Sequence, residues 1–493
     1  MESVPRYIPQ LRTALVLTGT GTAGAYHAGV LRALHEAGVK IDLVAGRGVG
    51  VVGAMFGAID GAAQLWEVGG VWRSAGVGRL YRWRTSLRVA CWMIVAAFVA
   101  VLLPVVVLAG AAMAYPVGYL LQFVGLDVGD AVALAYTRWI DVVFAPTALP
   151  TYVPRFVVVV MALLLALLTA DAVSVPFRRG ARRRARGGLW WRLIGTPLTL
   201  SVAVEWFADG LWQVMRGASS ITTPAHHDLG ERYAELLGDN VGQPGFRELL
   251  VLVHDVDARR DMVFALLADP HRHVYVEDRP DAGAGTRPLE VVDLTREPKR
   301  HAMDALGSAL SVPVATEPHL VTYAPASAWR GETHRFCDRL DAIPRLLEEV
   351  AYAGVQQVIL VSPFPSAPGP HTLTADRRDI RGRAGQYLLS LETAALHDAI
   401  ASHRSHFQAI FHVRPTHNPL GPFDFEGCYD EHSDRRQTLT ELVDRGYEDG
   451  MSQFVDAVVG ASGELIDSPP AERPVDRGSI SERLAAHDAG TPS

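Results

Sequence analysis

Residues 13–55 read TALVLTGTGTAGAYHAGVLRALHEAGVKIDLVAGRGVGVVGAM. The apolar run TALVL, with Leu15 to Leu17 at its heart, predicts a strand. The glycine-rich turn Gly19-Thr20-Gly21-Thr22-Ala23-Gly24 follows it, and AYHAGVLRALHEAG predicts a helix. A second strand, Ile41 to Val44 within IDLVAG, enters a second glycine turn, Gly46-Arg47-Gly48-Val49-Gly50. Two strand–turn–helix units in succession predict an α/β fold with a mostly parallel sheet. The alternation resumes far downstream in LLVLV (Leu249 to Val253) and in QVILVS (Gln357 to Ser362), the latter behind the helical stretch AIPRLLEEVAYAG.

What separates the two halves is strongly apolar. The 493-residue chain is 49% hydrophobic and only 20% charged, which excludes a disordered protein and exceeds most soluble enzymes in apolar content. No charged residue occurs from Val89 to Leu126, far more than the roughly 20 residues a membrane-spanning helix needs. A second run, Phe156 to Ala170, is extended by its flanks into a second span. Arg79, Arg82, Arg84 and Arg88 precede the first run, and Arg178, Arg179, Arg182, Arg183, Arg184 and Arg186 follow the second. The excess of arginine outside the pair places both ends on the cytosolic side and gives an even number of crossings. Asp127, Asp130, Arg138 and Asp141 then belong to a loop on the other face. Pro104, Gly110 and Pro116 leave open one tilted helix or a broken one. Beyond Trp190 and Trp191, residues 198–215 suit either a helix lying at the lipid headgroups or one packed on the globular domain.

A net charge of −7 gives no global field for nucleic acid. Cys91, Cys337 and Cys428 form neither a CxxC pair nor a metal spacing, as in a reducing compartment. The first residues lack the basic and apolar regions of a cleaved signal peptide.

Gly19, Gly21 and Gly24 match the GxGxxG pattern of dinucleotide sites, but the acidic partner expected at the tip of the next strand is missing, because Asp42 lies within that strand. The second turn has the outer glycines of a GxSxG elbow, with glycine at its centre. Together these segments resemble the patatin-like phospholipase family: a glycine-rich oxyanion loop running into a helix, then the elbow. FRELLVLVHDVDARRDMVF is similar to that family's central strand and turn. ALGSALSVPVATEP resembles its Ala-Ser-x-Ala-x-Pro segment, and FCDRLDAIPRLLEEV resembles its aspartate segment. The resemblance implies a three-layer α/β sandwich interrupted by a transmembrane helical insertion. It divides the chain into 1–78, an insertion 79–216 (spans about 89–114 and 153–175, interfacial helix about 198–215), 217–468, and a flexible tail 469–493.

It also implies a Ser-Asp dyad, with Asp338 at the aspartate position and Gly48 where the serine belongs, flanked by Gly46, Arg47, Val49 and Gly50. Three residues depart from it. Gly48 has no hydroxyl, Ala23 replaces the basic residue of the oxyanion loop, and Arg339 replaces a glycine and is placed to pair with the aspartate. The N–H groups of Gly19, Thr20, Gly21, Thr22 and Gly24 keep an anion-binding arrangement. The implied protein is a catalytically inactive, membrane-anchored lipid-binding, scaffolding or regulatory pseudoenzyme, its globular domain cytosolic. Its partners are phospholipid or a fatty acyl ligand, with a protein partner as the other candidate, and no nucleic acid, cofactor or metal.

The alternative is an active lipid acyl hydrolase using a non-standard nucleophile or an activated water, with Ser308 and Ser311 as candidate nucleophiles that read more readily as packing residues and His27 as a candidate general base that reads more readily as structural. A nucleotide-binding module is supported by the first turn alone. His226-His227 and His271-Arg272-His273 lack metal-ligand spacing and are expected in exposed loops.

Overall fold

The computed structural model describes residues 6–126, 128–174, 195–277, 289–323, 329, 331–364, 380–416, 420–421, 428–430 and 435–460. The TALVL run is β1 (Thr13–Leu17), buried at every position. Unbroken apolar sequence suits a strand covered on both faces. α1 (Ala23–Glu36), β2 (Leu43–Gly46), α2 (Gly50–Ala58) and the short α3 (Ala63–Trp66) follow. Asp42, expected inside the second strand, precedes it. Its carboxylate accepts from the Thr13 N–H at 2.9 Å, and its own N–H donates to the Thr13 carbonyl.

Three helices then leave the sheet: α4 (Thr85–Phe123), α5 (Val128–Val143) and α6 (Leu149–Ser174). α4 continues through Pro104 and Pro116 as one helix, longer than the expected span and about 58 Å from end to end at 1.5 Å per residue. Two helices, Thr85–Phe123 and Leu149–Ala170, are long and apolar enough to cross a membrane. Large apolar side chains such as Trp92, Phe98 and Leu165 stand exposed on them. The segment expected as a charged loop is helical instead. α5 folds back along α4, tied by the Tyr136 hydroxyl to the Val107 carbonyl and by Tyr115 to Thr137. These bonds use polar atoms of α5 that a loop would give to water. Asp127, Arg178 to Arg186, Trp190, Trp191 and the tail 469–493 lie outside the described residues.

α7 (Ser201–Arg216) and α8 (His226–Asn240) lead back to the sheet. The apolar face of α7, including Ala203, Phe207 and Leu211, is buried in the same core as Phe56 and Trp72, with only the Glu205 and Asp209 side exposed. The interfacial placement is thereby corrected to the packed one: protein already covers the face that headgroups would meet.

The remaining elements are β3 (Glu248–Asp255), β4 (Arg260–Leu266), α9 (His271–Val276), β5 (Leu289–Asp293) and α10 (Ala302–Leu310). They continue with β6 (His319–Thr322), β7 (Thr333–Cys337), α11 (Ile343–Tyr352), β8 (Gln357–Val361) and α12 (Ile380–His403). β9 (Ala409–Val413), a small β10 (Cys428–Asp430) and β11 (Arg435–Gln437) pair, and α13 (Leu439–Gly450) complete the described chain, α13 running into a π-helical segment. The main sheet has the order β5-β4-β3-β2-β1-β8-β9, with β7 joined to β3 and β6. It is mixed but mostly parallel, the antiparallel pairs being β3–β4, β3–β7 and β6–β7.

Alternate strand residues supply two cores. Leu15, Leu17, Val251 and Val361 pack with α1, α2, α7, α8, α10 and α13 on one face. Ala14, Val16, Leu252 and Leu360 pack with α9, α11 and α12 on the other. Register fixes the site: Leu17 lies opposite both Gly46 and Val361, so the turns after β1, β2 and β8 leave the same edge. Such a carboxyl edge is where open α/β sheets bind ligands.

Candidate functional site

The elbow begins where β2 ends. Gly48 has φ +55°, in the left-handed region that glycine enters without strain. The turn is fastened by the Arg47 N–H to the Leu17 carbonyl (3.2 Å) and the Val49 N–H to the Gly19 carbonyl (2.9 Å). A Cβ added to Gly48 would lie 2.2 Å from the Gly19 carbonyl oxygen and 2.9 Å from Asp338 Oδ2. The space a serine would need is therefore filled by backbone as well as by the aspartate.

Asp338 follows β7 and is held by its own N–H on the Ser311 carbonyl at 2.8 Å. It stands against Gly48 from across the whole insertion. Of its two carboxylate oxygens, Oδ2, the one nearest Gly48, accepts from Arg47 Nη1 at 2.8 Å, while Oδ1 has no hydrogen-bond partner among the described residues. Arg47 is fully buried, and its Nη2 donates to Glu392 of α12, which is also buried. Arg339, expected to pair with Asp338, turns away: Nη1 donates to Asp261 Oδ2 at 2.6 Å and Nε pairs with Asp341 at 3.1 Å. Asp261 is buried on β4 and requires that countercharge.

One guanidinium thus serves two carboxylates. Burial pushes the Asp338 carboxyl up, against the pull of Arg47 and of the Arg339 and Gly48 N–H groups. Burial likewise raises Glu392 from 4.5 to about 7, opposed by Arg47 and assisted by the charge of Asp338. An acid with a raised folded pKa binds its proton more tightly when folded. Its stabilising contribution is full below the unfolded value and lost as pH rises through the folded one. Relative to Glu392→Gln, the natural chain is expected to lose about 1.4 kcal/mol of stability per pH unit across that window. Urea unfolding of both chains across the window checks this; a difference independent of pH would contradict it.

The loop after β1 is buried, with Gly19 at φ +123° and Gly21 at φ +59°. Among the described residues, the N–H groups of Gly19, Thr20, Gly21 and Thr22 meet no acceptor, and the buried Thr20 and Thr22 hydroxyls have no partner. Gly24 and Ala23 belong to the first turn of α1, without a basic side chain. Beneath the loop His27 donates through Nε2 to the Thr18 carbonyl at 2.9 Å, an acceptor that fixes the tautomer. Burial lowers its pKa to about 3, so it is a neutral brace.

The candidate serines are not activated. Ser308 is buried without a partner, and Ser311 donates to the Glu317 carbonyl at 3.0 Å. A pair that sequence reasoning missed lies on the same edge: Ser362 Oγ is 2.7 Å from His412 Nε2, the residues following β8 and lying on β9. Ser362 is fully buried. Burial, then Arg414 and His397, lower His412 to about 3, which makes it a poor proton acceptor at neutral pH.

The chain leading into α4 passes beside this site. Tyr81 donates to the Leu310 carbonyl at 3.0 Å, and its hydroxyl is pushed up by burial and then by the charge of Asp338. A cleft of about 470 Å³ lined by Arg79, Tyr81, Arg82, Trp83 and Arg88 opens where α4 begins. Arg84, buried at the helix start, pairs with Glu317 and ties α4 to the domain. Another cleft, of about 490 Å³ and lined by Arg12, Lys40, Asp42, Glu248 and His271, lies at the opposite, amino edge of the sheet. The histidines expected in loops are helical: His271 and His273 belong to α9, and His226 and His227 open α8.

No protein-family model and no curated protein matches this sequence. Among solved structures, VipD from Legionella pneumophila is similar over 90% of this chain and 67% of that one, with 12% identity and a TM-score of 0.30.

Proposed function

We propose that this chain is a membrane-anchored, patatin-like α/β protein with a degenerate dyad, and that it binds lipid at the elbow edge without cleaving esters. The observation that carries this reading is the Arg47–Asp338 ion pair beneath a glycine whose missing side chain has no room to return. Acyl transfer needs a hydroxyl nucleophile beside a carboxylate that takes its proton; here the elbow has no hydroxyl, and Asp338 Oδ2, the oxygen nearest Gly48, is engaged by Arg47. What remains is a binding surface. Unpartnered N–H groups and hydroxyls in the Gly19–Gly24 loop suit a phosphate or carboxylate head. The arginine-lined cleft at the start of α4 suits the anionic surface of a cytosolic leaflet. α4 and α6, with their exposed apolar surfaces, serve as the anchor. A scaffolding or regulatory role follows from binding without turnover.

The test is isothermal titration of full-length protein in neutral nanodiscs with a soluble short-chain phosphatidate. Saturable binding is expected, and Gly21→Val, which forces a β-branched residue to φ +59°, is expected to weaken it at least about tenfold. Absence of binding, or equal binding by the variant, would sink the assignment. The second reading, an active acyl hydrolase with a non-standard nucleophile, draws on the Ser362–His412 hydrogen bond. The burial of Ser362 and the depressed basicity of His412 weigh against it.

A further inference from the structure

Away from the elbow, at the other end of α10, four imidazoles surround one buried carboxylate. Asp304 lies in the first turn of α10 and is almost wholly inaccessible. His319 Nε2, from the first residue of β6, is 2.9 Å from Oδ1. His226 Nε2, from the first residue of α8, is 3.5 Å from the same oxygen. His301 Nδ1 donates to the other oxygen, Oδ2, at 2.7 Å, and His227 Nδ1 stands 4.0 Å from it.

We propose that His226 Nε2, His319 Nε2 and Asp304 Oδ1 form a binding site for one zinc-class divalent cation. The three ligand atoms lie within 4.8 Å of one another. A tetrahedral zinc ion with bonds of about 2.0–2.1 Å sets its ligand atoms about 3.3 Å apart. The 2.9 and 3.5 Å separations from Oδ1 bracket that edge. Two nitrogens and one oxygen favour zinc and its imidazole-seeking neighbours over magnesium or calcium.

Two further observations point to a ligand. His226 Nε2 is buried with no hydrogen-bond partner, although its ring is aimed at the carboxylate. Gly307, one turn along α10, leaves the room that the His319 ring occupies, since a Cβ there would lie 2.6 Å from Nδ1. His301 then acts as the positioning residue, fixing the carboxylate through its second oxygen as metal-bound carboxylates require. On coordination each ligating imidazole would bind through Nε2 and keep its one proton on Nδ1, which for His319 moves the proton off the Nε2 that now faces Asp304 Oδ1. Three protein ligands leave a fourth position for water or an exogenous group. The ion would join α8, α10 and β6, and α10 leads to Ser311, whose carbonyl holds Asp338.

The experiment uses tag-free full-length protein in detergent, stripped with chelator and titrated with Zn²⁺ and with Co²⁺. One ion per chain is expected, with the visible bands of tetrahedral cobalt. His226→Ala, at a half-exposed helix start, and Asp304→Asn are each expected to weaken binding at least about 100-fold, with circular dichroism reporting the fold. His273→Ala, on an exposed part of α9, is expected to bind as the natural chain does. Sub-stoichiometric binding, or equal affinity in His226→Ala, would overturn the site without bearing on the elbow.

Discussion

Full-length protein carrying Gly48→Ser is expected to hydrolyse phospholipid and nitrophenyl esters no faster than the same chain with Asp338→Ala added. Loss of the nucleophile from an acyl hydrolase costs about 10⁴–10⁶ in rate. Restoring the hydroxyl does not recover it here, for two reasons visible at atomic distances. The new Cβ meets the Gly19 carbonyl, which the Val49 N–H holds in place. The oxygen that should take the serine proton, Asp338 Oδ2, already accepts from Arg47. Arg339→Gly is expected to add nothing, because Arg339 serves Asp261. Turnover by the natural sequence, or by Gly48→Ser, that disappears with Asp338→Ala would contradict this.

Arg47→Met is expected to lower stability by about 3–5 kcal/mol, the usual cost of removing one partner from a buried ion pair. The penalty arises from two carboxylates, Asp338 and Glu392, left in the interior without a cation. It should therefore shrink as pH falls and both take up protons, the direction their burial already favours. The triple variant Arg47→Met, Asp338→Asn, Glu392→Gln removes every charge together and is expected to recover most of the loss. Denaturant unfolding of the three chains decides it: a cost below about 1 kcal/mol for Arg47→Met would mean that the triad does not hold the elbow.

The sheet and the glycine turns at its carboxyl edge were legible because both depend on local patterns. TALVL and QVILVS are continuous apolar runs, and glycines mark the turns that leave the central strands. Asp338 was legible through its segment. Arg47 was named only as part of the elbow, although a charged residue between glycines at the end of a buried strand must find buried countercharge, which was the available signal. Glu392 gave none, since an acid in a long helix of mixed composition reads as solvated. Arg339 was assigned to its sequence neighbour when its partner lies on another strand, a choice only tertiary structure makes. α5 was missed for the same reason: its few charges read as a loop until Tyr136 is seen against α4. Spacing also hid the histidine cluster, because α8, α10 and β6 bring together residues that share no short motif.

The most direct measurement is the intact mass of the natural full-length chain after exposure to a lipid-like fluorophosphonate. The account requires the mass to stay unchanged, with no phosphonylated serine on peptide mapping. A stoichiometric adduct on Ser362, Ser311 or any other serine, with its formation lost in Asp338→Ala or His412→Ala, would show that the chain keeps a working nucleophile.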